Sequence, residues 1–181
     1  MNRSTKKLVL SALLLAVALL LPSLFTGGNQ ELGMVLSPMH IPVLIAGFTI
    51  GAPYAAAVGA LTPVLRSLLF GAPPFIPLAL AMLFEMSVYG LAAGFFFTLS
   101  GKRLNNLYCR TYLTLACAML AGRLVFGMAM ALLLMSNGAV YSMEAFISAA
   151  FIRAFPGIVL HILLIPLIII ALVKARMIPL R

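Results

Sequence analysis

Between residues 8 and 173 the chain is a succession of long apolar runs, broken only by short segments rich in Gly, Pro, Asn and charge. That pattern limits the fold more than any other feature. Crossing a hydrocarbon core about 30 Å thick takes roughly 20 helical residues, so 181 residues leave room for about six crossings and no sizeable soluble domain. Charged residues make up 8% of the chain and hydrophobic ones 64%, whereas a water-exposed domain carries about a quarter charged residues. Backbone groups in lipid must be satisfied within their own segment, so the runs are helices rather than isolated strands. The expected fold is an all-α membrane protein, a six-transmembrane-helix bundle forming one integral domain over 1–181.

The first run, Leu8 to Phe25, follows Arg3, Lys6 and Lys7 and lacks a small-x-small cleavage site, so it reads as a retained helix. The helices are expected at about 6–25, 39–50, 54–70, 77–99, 111–135 and 145–173. Thr26 to Pro38 reads as a loop from its Gly, Asn and Gln residues, and Gly71–Phe75 as a turn. Cys109 and Cys117 fall eight residues apart on one helix, about 12 Å along its axis and too far for a disulfide.

Positive charge sets the orientation. Arg3, Lys6, Lys7, Lys102, Arg103, Arg110, Lys174, Arg176 and Arg181, nine of the twelve Lys and Arg residues, fall on one side of a six-helix path. The opposite segments, 26–38, 71–76 and 136–144, contain none. Positive loops face the cytoplasm, which places both termini there. It also explains the net charge of +9 without nucleic acid.

Arg66, Arg123, Arg153, Glu85, His40 and His161 remain inside the apolar runs. Each ionisable group placed in a membrane helix costs about 2.5–3.5 kcal/mol on insertion scales, so such groups mark functional positions by default. By depth they favour the outer half. The candidate substrate-binding residues are His40, Arg66, Glu85, Arg123 and Arg153. Arg66 and Glu85 flank one hairpin, where an ion pair that lets both insert is the plainer reading. His40 also suits an interfacial position, and His161 suits a hydrogen-bonded packing role. Two arginines are left without an acidic partner, and an anionic ligand would supply one, since arginine binds carboxylate bidentately. Ala12/Ala16 and Gly90/Gly94 have the small-xxx-small spacing of closely packed membrane helices.

No phosphate-binding glycine loop, Gly-x-Ser-x-Gly, His-Glu-x-x-His or acidic pair occurs. No catalytic residue, metal ligand or cofactor is expected, and ATP hydrolysis would fall to other chains. The two halves show no obvious inverted repeat of the kind many secondary transporters carry.

Ala12-Leu13-Leu14-Leu15-Ala16 resembles the Ala-x-x-x-Ala signature on helix 1 of the substrate-binding S components of energy-coupling factor (ECF) vitamin transporters. Met39-His40-Ile41-Pro42-Val43-Leu44 and Thr62-Pro63-Val64-Leu65-Arg66-Ser67-Leu68-Leu69-Phe70-Gly71 look like its pantothenate-type branch. The resemblance implies a multi-pass protein of the bacterial plasma membrane that captures a water-soluble vitamin from outside. It also implies a transmembrane coupling subunit docked through Ala12 and Ala16, two cytoplasmic ATPase subunits, and a first outer loop, Thr26–Pro38, covering the site. Spare arginines favour an acidic vitamin, pantothenate first, with folate, nicotinate or a pyridoxine-type compound also accommodated. The alternative is a self-sufficient secondary transporter or channel for a small solute, and a membrane-embedded scaffold would bind no small molecule.

Overall fold

A computed structural model describes the chain except for residues 1, 28, 102, 105, 137, 139 and 176–181, together with the Gln30 side chain. Lys102, Arg176 and Arg181 therefore lie outside the described residues. The elements are α1 (Arg3–Thr26), α2 (Gln30–Leu36), α3 (His40–Ile50), α4 (Ala52–Phe70), α5 (Leu80–Ser100), α6 (Leu107–Met135), α7 (Met143–Ile147) and α8 (Phe155–Lys174). Irregular wide turns at Phe75–Ala79 and Ser148–Ile152 lead into α5 and follow α7. Among the described residues six segments are long and apolar enough to cross a membrane, and no strand occurs.

Three differences from the sequence reading have local causes. The segment 26–38 is not all loop: the Asn29 side chain accepts from the Glu31 and Leu32 N–H groups and starts α2, with Glu31 in its first turn. A side-chain cap of this kind satisfies donors that a helix start otherwise leaves open. The fifth crossing begins at Leu107 rather than 111, because Asn106 caps Tyr108 and Cys109 in the same way. Arg110 is therefore a buried member of α6 and not a residue of the linker. The crossing expected at 145–173 is broken between α7 and α8, where Pro156 sits in the first turn of α8. Proline fits there because its missing N–H has no partner in a first turn.

Helices α3, α4 and α5 form the packed centre. Nine of the eleven α3 residues are buried, whereas only Ala18 and Pro22 are buried on α1. Glycines let the backbones meet. A Cβ on Gly90 would lie 2.4 Å from the Ala55 carbonyl oxygen, and one on Gly94 would lie 2.3 Å from the Ala52 nitrogen. The close approach expected of these two glycines is thus made against α4. Gly51, at φ 93°, turns the chain sharply from α3 into α4, a conformation that favours glycine. With only 11 residues, α3 spans about 16 Å, so its first residue, His40, lies within the bundle.

Candidate functional site

Glu85 on α5 is 1% exposed, and four elements bring polar groups to it. Arg123 on α6 places Nη1 3.2 Å from Glu85 Oε1. His40, opening α3, places Nε2 3.6 Å from Glu85 Oε2. Tyr89 lies one turn further along α5, and its ring meets the His40 ring edge-on at 5.3 Å between centroids. Its hydroxyl is within electrostatic reach of Glu85 and Arg123. Gly122, beside Arg123, makes room for that ring: a Cβ there would lie 2.3 Å from Tyr89 Cδ1. The fourth element is the segment between α6 and α7. Its Tyr141 buries a hydroxyl, and burial together with the Glu85 carboxylate pushes that phenol above its ordinary value.

The cluster is closed by the main chain. The Ser37 carbonyl, at the end of α2, lies 3.2 Å from His40 Nδ1 and 3.3 Å from Nε2 of His161 on α8. Ser37 is left-handed at φ 46°, which aims its carbonyl inward from the turn. Gly157 of α8 packs directly under this turn, where a Cβ would lie 2.6 Å from the Val35 oxygen. Through these contacts α2 is seated on α3 and α8.

Five buried side-chain atoms make no hydrogen bond among the described residues: His40 Nε2, Glu85 Oε1, Tyr89 OH, Arg123 Nε and Tyr141 OH. All belong to this one cluster. An unmet buried polar group costs about 1–3 kcal/mol, and a fold is stable by only about 5–15 kcal/mol. Such a concentration sets this cluster apart from the rest of the described interior.

The structure sorts the sequence-derived candidates. It brings His40, Glu85 and Arg123 together. Arg66 is buried but turned elsewhere: its guanidinium donates to the Leu19 carbonyl and, at 3.2 Å, to Ser23 Oγ on α1, and it stacks on Phe70. The ion pair considered between Arg66 and Glu85 is thus made by Arg123 instead. Arg153 is exposed, after the second wide turn. Ala12 and Ala16 are exposed on α1. His161 is a hydrogen-bonded packing residue that also holds the cluster's edge. Arg110 donates to the Phe97 carbonyl at the end of α5 through Nε and Nη2, at 2.9 and 2.6 Å.

Sequence reasoning missed Tyr89, Tyr141 and the Ser37 carbonyl. Tyr89 had a signal, being four residues from Glu85 and hence on the same helix face. Tyr141 lies in a loop and Ser37 acts through its main chain, so neither carried one. No group of three His, Cys, Asp or Glu positioned to hold a metal occurs among the described residues.

Residues 6–178 match the family model described as the ECF transporter, substrate-specific component. No curated protein and no solved structure matches the chain.

Proposed function

The chain belongs to the substrate-specific components of ECF transporters, and from that premise we propose that it captures a water-soluble vitamin in the Glu85–Arg123–His40 cluster. The family is one of transport subunits rather than enzymes, and it implies a coupling subunit and ATPases as partners. With both termini cytoplasmic, as the positive charges favour, the cluster lies in the outer half of the bundle. There α2 covers it, held by the two histidines on the Ser37 carbonyl. Release of that cover opens the site to the outside.

The observation that carries this reading is the gathering of buried polar atoms without a hydrogen bond, from His40, Tyr89, Arg123 and Tyr141, around the Glu85 carboxylate. The expectation of an acidic vitamin, with pantothenate favoured, leaned on the two arginines left over once Arg66 was paired with Glu85, namely Arg123 and Arg153. Arg153 is exposed and lends it no support, while Arg123 lies in the cluster but beside Glu85. The charge of the cluster itself decides the ligand class.

Ala12 and Ala16, exposed on a helix that buries little of itself, offer the face for the coupling subunit. The two ATPases then act through that subunit. Ala12→Leu is expected to leave vitamin binding intact and to impair assembly with the coupling subunit, measured by co-purification.

The direct test is titration of the purified chain with pantothenate, folate, nicotinate and pyridoxine, alongside mass spectrometry of any ligand that co-purifies from rich medium. Binding abolished by substitutions in the cluster supports the reading. Uptake by the chain alone in ion-gradient liposomes would instead support a self-sufficient transporter.

A further inference from the structure

The charge of the cluster follows from one backbone oxygen. A carbonyl only accepts, so both nitrogens that approach Ser37 O, His40 Nδ1 at 3.2 Å and His161 Nε2 at 3.3 Å, carry hydrogen. In a neutral imidazole the second nitrogen is then bare. For His40 that second nitrogen is Nε2, which faces Glu85 Oε2 at 3.6 Å, with both side chains at most 2% exposed. A bare nitrogen and an ionised carboxylate would oppose lone pair to lone pair in a low-dielectric interior, where such a mismatch is costly.

We propose that one proton resides between His40 and Glu85, leaving Arg123 as a single uncompensated positive charge, so that the site takes a monoanionic ligand of carboxylate type. The inference rests on the reading that this cluster holds the vitamin. Whether the proton sits on the imidazole or on the carboxyl, the pair is neutral overall. The other groups facing it add no charge: His161 is neutral with its hydrogen on Nε2, and Tyr89 and Tyr141 are phenols. Burial and Glu85 hold Tyr141 in its protonated form. The chain has three acidic residues, and the other two, Glu31 and Glu144, are exposed. Arg123 is 7% exposed, so its charge is hidden from water with no second acid to balance it.

The unused hydrogen-bonding groups fit the same ligand. Arg123 Nε and the Tyr141 hydroxyl make no hydrogen bond among the described residues, and the Tyr89 hydroxyl, beside Glu85 and Arg123, is a third donor at the same place. A carboxylate has acceptor positions for all three and gains most from a charged donor. Glu85 Oε1, paired with Arg123 Nη1 at 3.2 Å, has a further lone pair to accept from a hydroxyl or amide elsewhere on the ligand.

The test uses the full chain in lipid nanodiscs and calorimetric titration at neutral pH with two matched pairs: pantothenate against its uncharged alcohol panthenol, and nicotinate against nicotinamide. One acid is expected to bind, with its uncharged counterpart about 100-fold weaker, the scale of a lost buried charge-assisted contact. Arg123→Gln, which removes the positive charge, should abolish binding of the acid. Equal binding of acid and uncharged counterpart overturns the inference. If no compound of the four binds, the net charge at neutral pH of the ligand extracted from purified protein decides: a monoanion supports the inference and an uncharged molecule overturns it. An uncharged ligand whose binding Arg123→Gln abolishes would sink the inference and spare the cluster. A ligand indifferent to Arg123→Gln would sink the cluster reading itself.

Discussion

Arg66 and Arg123 are equally buried, each 7% exposed, yet they do different work. Arg66 is spent on its own fold: it reaches from α4 to the Leu19 carbonyl and Ser23 hydroxyl of α1 and lies over Phe70. Arg123 meets Glu85 but leaves its Nε unmatched, in a neighbourhood where four other polar atoms are unmatched too. A buried charge in a membrane helix is therefore not by itself a sign of function. What separates the two is whether the protein alone completes the hydrogen bonding.

The largest expected effect comes from breaking the second region. Glu85→Ala removes the carboxyl group that Arg123 and His40 both contact and should destabilise the protein by about 3–5 kcal/mol while abolishing vitamin binding. Thermal unfolding in nanodiscs together with titration checks both. Arg66→Ala leaves no buried charge behind, only the lost bonds to α1, and should cost about 1–3 kcal/mol. Its vitamin affinity should stay within a fewfold of wild type, and a collapse of affinity would erase the contrast between the arginines. Tyr141→Phe sharpens it from the other side. The hydroxyl makes no hydrogen bond among the described residues, so stability should hold while affinity drops about tenfold, one neutral hydrogen bond's worth. The smallest effect is expected for Arg153→Ala, whose exposed side chain should leave affinity unchanged in the same titration.

Much of the fold was legible because lipid imposes length and hydropathy on each crossing, and the apolar runs at about 8–25 and 111–135 declare themselves. Boundaries were less so. Asn29 and Asn106 act as caps, and Pro156 begins a helix rather than interrupting one, effects that hydropathy does not register. The ionisable residues of the site were also legible, since any such group stands out in an apolar helix. Which of them meet was not. These helices are apolar on nearly every side, so no periodicity marks the face that turns inward. Glu85 could be assigned a depth but not a direction, and Arg66 across the hairpin looked its natural partner, with Arg123 left over. The close glycine contacts of α5 with α4, through Gly90 and Gly94, and the passage of α6 beside Glu85 decided it. The Ser37 carbonyl, a main-chain group, had no side-chain signature at all.

The most direct measurement is the affinity of the Tyr89→Phe/Tyr141→Phe double variant for the vitamin that the wild type binds, taken beside its melting temperature. Removing the two hydroxyls offered to a guest should weaken binding by roughly 30- to 100-fold and leave melting unchanged or raised. Unchanged affinity would contradict the claim that these polar groups await a ligand.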